Sequence, residues 1–169
     1  MKVYEFAQRQ HIVARIDEVW DFFSDPRNLE KITPPGMQFE ILDDGGAKEI
    51  FQGQLIRYKV SPFPFFRTGW VTEITSVVPK TSFIDSQKEG PFALWRHCHE
   101  FKVMPDGIEM IDIVHYAPPL GRIGGLANLL FVRSRIERIF AYRKKRVDEI
   151  FPLESPKIAN NTPEISLQL

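Results

Sequence analysis

Between Trp95 and Lys102 the side chains alternate in character: Trp95, His97, His99 and Phe101 fall on one face, Arg96, Cys98, Glu100 and Lys102 on the other. This two-residue period is that of a strand. The stretch follows a Gly90-Pro91 turn and gives a strand over Ala93–Met104. Other strands read the same way over residues 3–13, Met37–Leu42, Glu49–Ser61, Arg67–Val78, Ser82–Gln87 and Ile108–Ala117. Asp43-Asp44-Gly45-Gly46 and Pro105-Asp106-Gly107 punctuate them as turns, and Gly53 marks a bend. Two short helices fall between the first two strands. Asp17 is the expected N-cap of one, which carries Val19, Trp20, Phe22 and Phe23; Asp25, followed by Pro26, caps the other. After Pro118-Pro119 the period becomes helical. Ile123, Leu126, Leu129, Leu130, Ile136, Ile139, Phe140, Val147 and Ile150 form one stripe of a long helix from about Arg122 to Phe151, stopped by Pro152.

The order is therefore strand, two short helices, six strands and one long helix. Short turns between successive strands imply an antiparallel meander. A curved sheet of this kind buries its concave face under the last helix, and a helix that does not fill the concavity leaves a cavity. The 169-residue length suits one domain, taken as residues 1–152, with a flexible tail over 153–169.

Twenty-two basic and 22 acidic residues balance to zero formal charge, which argues against a general attraction to nucleic acid. The lone cysteine, Cys98, excludes an intrachain disulfide and a cysteine-based zinc site. No apolar run approaches the roughly 18 residues of a membrane span, and the N-terminus lacks a signal-peptide pattern, so the expected location is cytoplasmic. No serine or cysteine triad is visible. Gly121-Arg122-Ile123-Gly124-Gly125 lacks phosphate-loop spacing and reads as a hinge into the helix.

The candidate chemistry lies on inward-facing strand positions. Phe83, Asp85 and Gln87 share one face of their strand. On the strand over 108–117, either Met110, Asp112, Val114 and Tyr116 or the set containing Ile111 and Ile113 could face inward. Paired His–Asp hydrogen bonds between sheet and helix, recognition of a ligand's polar end, and acid–base or metal chemistry are the three uses such a set admits. His97-x-His99 is a weak metal signal that needs a third ligand, for which Asp85 and Asp112 are the candidates; no metal or cofactor is assigned. Ser61-Pro62-Phe63-Pro64-Phe65-Phe66 is an apolar, proline-stiffened turn, read as a lid formed by Phe63, Phe65 and Phe66, a point of contact with a membrane or partner, or a loop folded on the core. Arg133, Arg135, Arg138, Arg143, Lys144, Lys145 and Arg146 read as a solvated outer face of the long helix.

The element order, with Val19-Trp20-Asp21-Phe22-Phe23-Ser24-Asp25-Pro26-Arg27-Asn28-Leu29, Ile32-Thr33-Pro34-Pro35, Phe83-Ile84-Asp85-Ser86-Gln87, Gly90-Pro91-Phe92, Trp95 to Phe101 and Asp112 to Tyr116, resembles the START-like (SRPBCC) superfamily, and in wording a largely uncharacterised bacterial branch of it. The resemblance spans about residues 1–152. It implies an α+β helix-grip fold: a curved antiparallel sheet of about seven strands, two short helices, a long C-terminal helix and an internal cavity. It also implies that the Asp112 side faces in, bringing Asp85, His97, His99 and Asp112 together. The superfamily includes birch-pollen-type allergens, lipid-transfer domains, coenzyme Q-binding proteins and polyketide cyclases/aromatases, so fold does not decide function.

The leading expectation is binding or transport of a small hydrophobic molecule: a lipid, isoprenoid, quinone or polycyclic aromatic. Trp70, Asp85, Gln87, Trp95, His97, His99, Phe101, Asp112 and Tyr116 are the expected ligand-binding residues. The alternatives are a cyclase/aromatase-like enzyme using His97, His99, Asp85 or Asp112 as acid and base, and a module that touches a membrane or partner transiently through the Phe63–Phe66 loop and the basic helix.

Overall fold

The computed structural model describes residues 1–63, 65–119 and 131–152. Seven antiparallel strands form one sheet: β1 (Tyr4–Ile12), β2 (Glu40–Asp43), β3 (Leu55–Phe63), β4 (Phe66–Val78), β5 (Ser82–Glu89), β6 (Leu94–Met104) and β7 (Gly107–Ala117). Their order across the sheet is β1-β7-β6-β5-β4-β3-β2. The meander runs in sequence from β2 to β7, and β1 adds to its far side. Helix α1 (Ile16–Phe23) and a 3-10 helix (Pro26–Ile32) follow β1; helix α2 (Arg133–Ile150) follows β7. The expected start of the long helix, the 121–125 hinge and the 153–169 tail lie outside the described residues.

Local chemistry accounts for most boundaries. Asp25 accepts from the Arg27 backbone N–H at 3.0 Å, and Pro26 opens the helix behind it. At α1 the expectation fails. The cap residue is Arg15, whose backbone N–H donates to Glu18 Oε2 at 3.1 Å, while Asp17 sits in the first turn and pairs with Lys80 at 2.6 Å. Glutamate three residues past the cap outcompetes the aspartate because it reaches back to the cap's own N–H. Two strands are shorter than their sequence pattern: Pro35–Met37 is a 3-10 turn, and Glu49–Gln54 precedes β3 without joining it. Gly53 has φ +88°, which takes the chain out of strand geometry before Leu55. The β6–β7 turn closes on Gly107, φ +149°, where a Cβ would run into the Ile12 carbonyl oxygen.

α2 lies against β1 and the 3-10 helix. Two glutamines of β1 fasten it. Gln8 Nε2 donates to the Phe140 carbonyl at 3.3 Å, and Gln10 Nε2 donates to the Lys144 carbonyl at 2.9 Å and to Asp148 Oδ1 at 2.8 Å. Under the helix the core divides. One cluster gathers Trp20, Phe23, Phe83, Phe101 and Val147; others hold Val114, Tyr116, Ile136 and Phe140, and Met37, Val60 and Trp70. The space between them is the cavity described next. No helix among the described residues is long and apolar enough to cross a membrane.

Candidate functional site

β6 carries the centre of the site, and register supplies the rest. His97 is paired across the ladder with Asp85 of β5, and His99 with Asp112 of β7. The open question of the last strand is thereby answered: Met110, Asp112, Val114 and Tyr116 are buried on the side of the histidines.

The four side chains interlock. Asp112 Oδ1 lies 2.9 Å from His97 Nε2 and 3.0 Å from His99 Nδ1. Asp85 Oδ2 lies 3.0 Å from His99 Nε2 and 3.5 Å from His97 Nδ1. The two imidazole rings are 3.7 Å apart, centroid to centroid, and Phe83 stacks on His99 at 4.0 Å.

A fifth member comes from α2. Arg143 is only 8% exposed; its Nη2 lies 3.5 Å from His99 Nδ1 and 3.9 Å from Asp112 Oδ1. Its guanidinium also sits over Phe23 and Phe140, at 5.6 and 5.7 Å. This corrects the reading of α2's basic residues as one solvated face. Arg143 falls in the helix stripe of Ile136, Phe140 and Val147, the buried positions of α2, and that spacing was the signal available in the sequence.

Burial penalises every charge here, and the neighbours decide which charges survive. For Asp112 burial works to raise the carboxyl, but the Arg143 charge and the histidine hydrogen bonds overcome it and hold the group well below the usual carboxylate range. Asp85 behaves alike: burial opposes ionisation, and the His99 hydrogen bond with the His97, His99 and Arg143 charges pulls it below its ordinary value. His97 goes the other way. Burial, then the charge of His99, push it down to about 4 against the pull of the two aspartates, so its neutral form prevails near pH 7. Burial raises the Cys98 thiol, consistent with no nucleophilic use of it.

The cluster borders a cavity of about 190 Å3 between the sheet, the 3-10 helix and α2. Asp85, His97, His99 and Arg143 reach its wall, as do Trp70 and Trp95; the remainder is chiefly apolar, including Phe22, Leu29, Ile56 and Ile139. Asp112 stands behind the histidines, off the cavity surface. Three other expected ligand contacts are also elsewhere: Phe101 packs on Trp20 and Phe23, Tyr116 stacks against Tyr4 and Trp95, and Gln87 spends both amide atoms on the Phe92 backbone. Two buried donors, Trp70 Nε1–H and Arg143 Nε–H, have no hydrogen-bond partner among the described residues. Tyr58, missed in the sequence, lines the cavity with its hydroxyl 2.9 Å from Thr72 Oγ1, and burial raises its phenol.

The proline-stiffened segment is the β3–β4 hairpin tip. Phe65 is fully exposed in a left-handed conformation, φ +62°, and Phe66 is 49% exposed. Neither lines the cavity; Pro62 does, and its carbonyl accepts from Arg135 Nε at 3.0 Å. The Phe63 side chain lies outside the described residues.

No protein-family model matches the sequence, and no curated protein does. Solved structures do match its shape. The Zhui aromatase/cyclase of a Streptomyces species superimposes with a TM-score of 0.67 at 17% identity, over 86% of this chain and 92% of that one. Ginseng major latex-like protein 151 gives 0.65 at 12%, over 88% and 97%. Protein Ms6760 of Mycobacterium smegmatis gives 0.66 at 14%, over 92% and 98%. The chain shares the α+β helix-grip fold of these proteins.

Proposed function

We propose that this protein binds a small, largely apolar molecule in the cavity, with the molecule's polar end at the Asp85–His97–His99–Arg143 floor. The observation that carries this reading is the join of an apolar chamber to unpartnered buried donors. Leaving a buried N–H unsatisfied costs about 1–3 kcal/mol, and an acceptor oxygen on the ligand would relieve whichever of Trp70 and Arg143 it reaches. Burial of the ligand's body supplies the rest, roughly 25 cal/mol per Å2 of apolar surface. Size narrows the class. An engineered cavity of about 150 Å3 holds benzene, so about 190 Å3 suits a compact ring system or isoprenoid better than a wholly enclosed diacyl lipid. Cytoplasmic location belongs to the same reading.

Native mass spectrometry of the purified chain, with titration of an environment-sensitive apolar fluorophore, tests it. The expected result is one ligand or probe per chain, with uptake reduced by Trp95→Ala and by filling the chamber with Ile139→Trp. Absence of uptake by the wild-type protein would sink the reading.

A second reading has a specific observation in its favour. His97 and His99 are held by aspartates while facing the cavity, the arrangement a general acid–base pair requires, and an aromatase/cyclase is among the structural neighbours. On this reading the histidines move protons on a bound polyketide-like substrate, oriented by Asp85 or Asp112. Turnover that survives in the His97→Ala/His99→Ala double variant would eliminate it.

A further inference from the structure

A neutral imidazole has one N–H and one lone pair. Asp112 Oδ1 is within hydrogen-bond distance of one nitrogen of each ring: Nε2 of His97 at 2.9 Å and Nδ1 of His99 at 3.0 Å. A carboxylate oxygen only accepts, so both of these nitrogens donate to it. The remaining ring nitrogens, His97 Nδ1 and His99 Nε2, both face Asp85 Oδ2, at 3.5 and 3.0 Å. His99 Nε2 and that carboxylate share one proton in a hydrogen bond, and a metal ion can take that proton's place. One ligand atom each from Asp85, His97 and His99 lies within 4.8 Å of the others.

We propose that Asp85 Oδ2, His97 Nδ1 and His99 Nε2 form a facial site for a first-row divalent transition-metal ion, with Asp112 behind both imidazoles as their shared hydrogen-bond acceptor. The distances fit. Ligand bonds of roughly 2.1 Å place adjacent ligand atoms about 3.0 Å apart in an octahedron and about 3.4 Å apart in a tetrahedron; the observed separations from Asp85 Oδ2 are 3.0 and 3.5 Å. Two imidazoles and one carboxylate suit zinc, iron or cobalt, whereas calcium and magnesium prefer all-oxygen sets. The outer layer fits as well. Metal-bound histidines characteristically donate their second N–H to a carboxylate, which fixes the ring and its tautomer. Asp112 does this for both rings, and Arg143 Nη2, 3.9 Å from it, offsets its charge. Accessibility follows the same division: Asp85, His97 and His99 line the cavity and Asp112 does not. The remaining coordination positions therefore open onto the chamber, as in sites where a metal meets a bound small molecule. The inference does not depend on what the chamber holds.

Chelator-treated full-length protein titrated with Co2+ alone tests it, read by the visible d–d bands and by calorimetry, with Zn2+ competition. One ion per chain is expected. Asp85→Asn, His97→Ala and His99→Ala should each weaken binding at least ~100-fold, and Asp112→Asn by about 10–100-fold, the usual effect of losing such an acceptor. The His11→Ala/His115→Ala variant, which removes the two remaining histidines, should bind as the wild type does. Melting curves and near-ultraviolet circular dichroism identify any variant that has not folded, and Asp85→Asn, the mildest change, carries the comparison if an alanine variant fails. No ion bound by the wild type, or binding unchanged by Asp85→Asn, overturns the site. Either result leaves apolar uptake to be judged by its own titration.

Discussion

Arg143 shows what a single side chain decides here. It is the only cation the described residues bring against Asp112 apart from the histidines, and both partners are buried. Removing one member of a buried pair leaves the other charge uncompensated, at a cost of about 3–5 kcal/mol. Arg143→Met, which keeps most of the apolar stem, should therefore lower unfolding stability in urea by that order, while Arg138→Met should leave it nearly unchanged. His97 supplies a pH signature. Its folded value of about 4 lies below the ordinary 6.5, so between those values the unfolded chain binds a proton that the native one refuses. Stability is then fully present above about pH 6.5 and declines as pH falls toward 4, by on the order of a few kcal/mol. Melting temperature of metal-free protein followed from pH 7 to pH 4 should fall, and His97→Gln should flatten the fall within that window. The histidines and Asp85 were legible because strand alternation places them; alternation left the face of Asp112 open, and only the family resemblance turned it inward. Arg143 was not: a charge in a run of charges looks solvated until the helix stripe is extended through it.

At the scale of elements, the sheet followed closely from alternation and turn residues, and its errors have local causes. Met37 lies in a 3-10 turn set by the preceding prolines, and Glu49–Gln54 alternates in composition but is diverted at Gly53. Periodicity reports which face a residue prefers, not whether a partner strand is there to pair with it. The β3–β4 hairpin makes the opposite point. Its phenylalanines read as a lid, a contact with a membrane or partner, or a loop folded on the core; Phe65 stands fully in solvent on a backbone conformation unfavourable for a bulky side chain. Because it packs on nothing, Phe65→Ala should alter melting temperature by less than about 2 °C, and Phe65→Gly should if anything raise it, since glycine relaxes the left-handed angle. If the tip guards the cavity, the same variants should change the rate of probe uptake measured by stopped flow; unchanged rates would remove the lid reading.

For the molecule as a whole, the sheet, the 3-10 helix and α2 border a chiefly apolar chamber that the Asp85–His97–His99–Arg143 cluster also lines. Anything that binds only the native state stabilises it by mass action, about 2.7 kcal/mol at 100 times its dissociation constant. For a chain of this size, such a ligand should raise the melting temperature by roughly 5–10 °C, which makes thermal-shift screening of apolar compounds a direct route to the occupant. Compounds with an acceptor oxygen should outperform hydrocarbons of equal size, and the preference should shrink in Trp70→Phe. The overall architecture was readable from element order. The chamber's extent was not, because it is the gap between packing clusters whose members lie far apart in sequence, and no local pattern encodes a void.

The two β1 glutamines that hold α2 bridge 132 to 138 positions of chain. Contacts of such separation form late, since a long loop must close before they reward it. On the ribosome, synthesis delivers β1 well before α2. The concave side of the sheet must therefore wait, apolar and uncovered, until α2 emerges. During that interval the nascent chain offers the greasy surface that chaperones recognise. The chamber and the window of vulnerability are the same concavity at two moments in the chain's life.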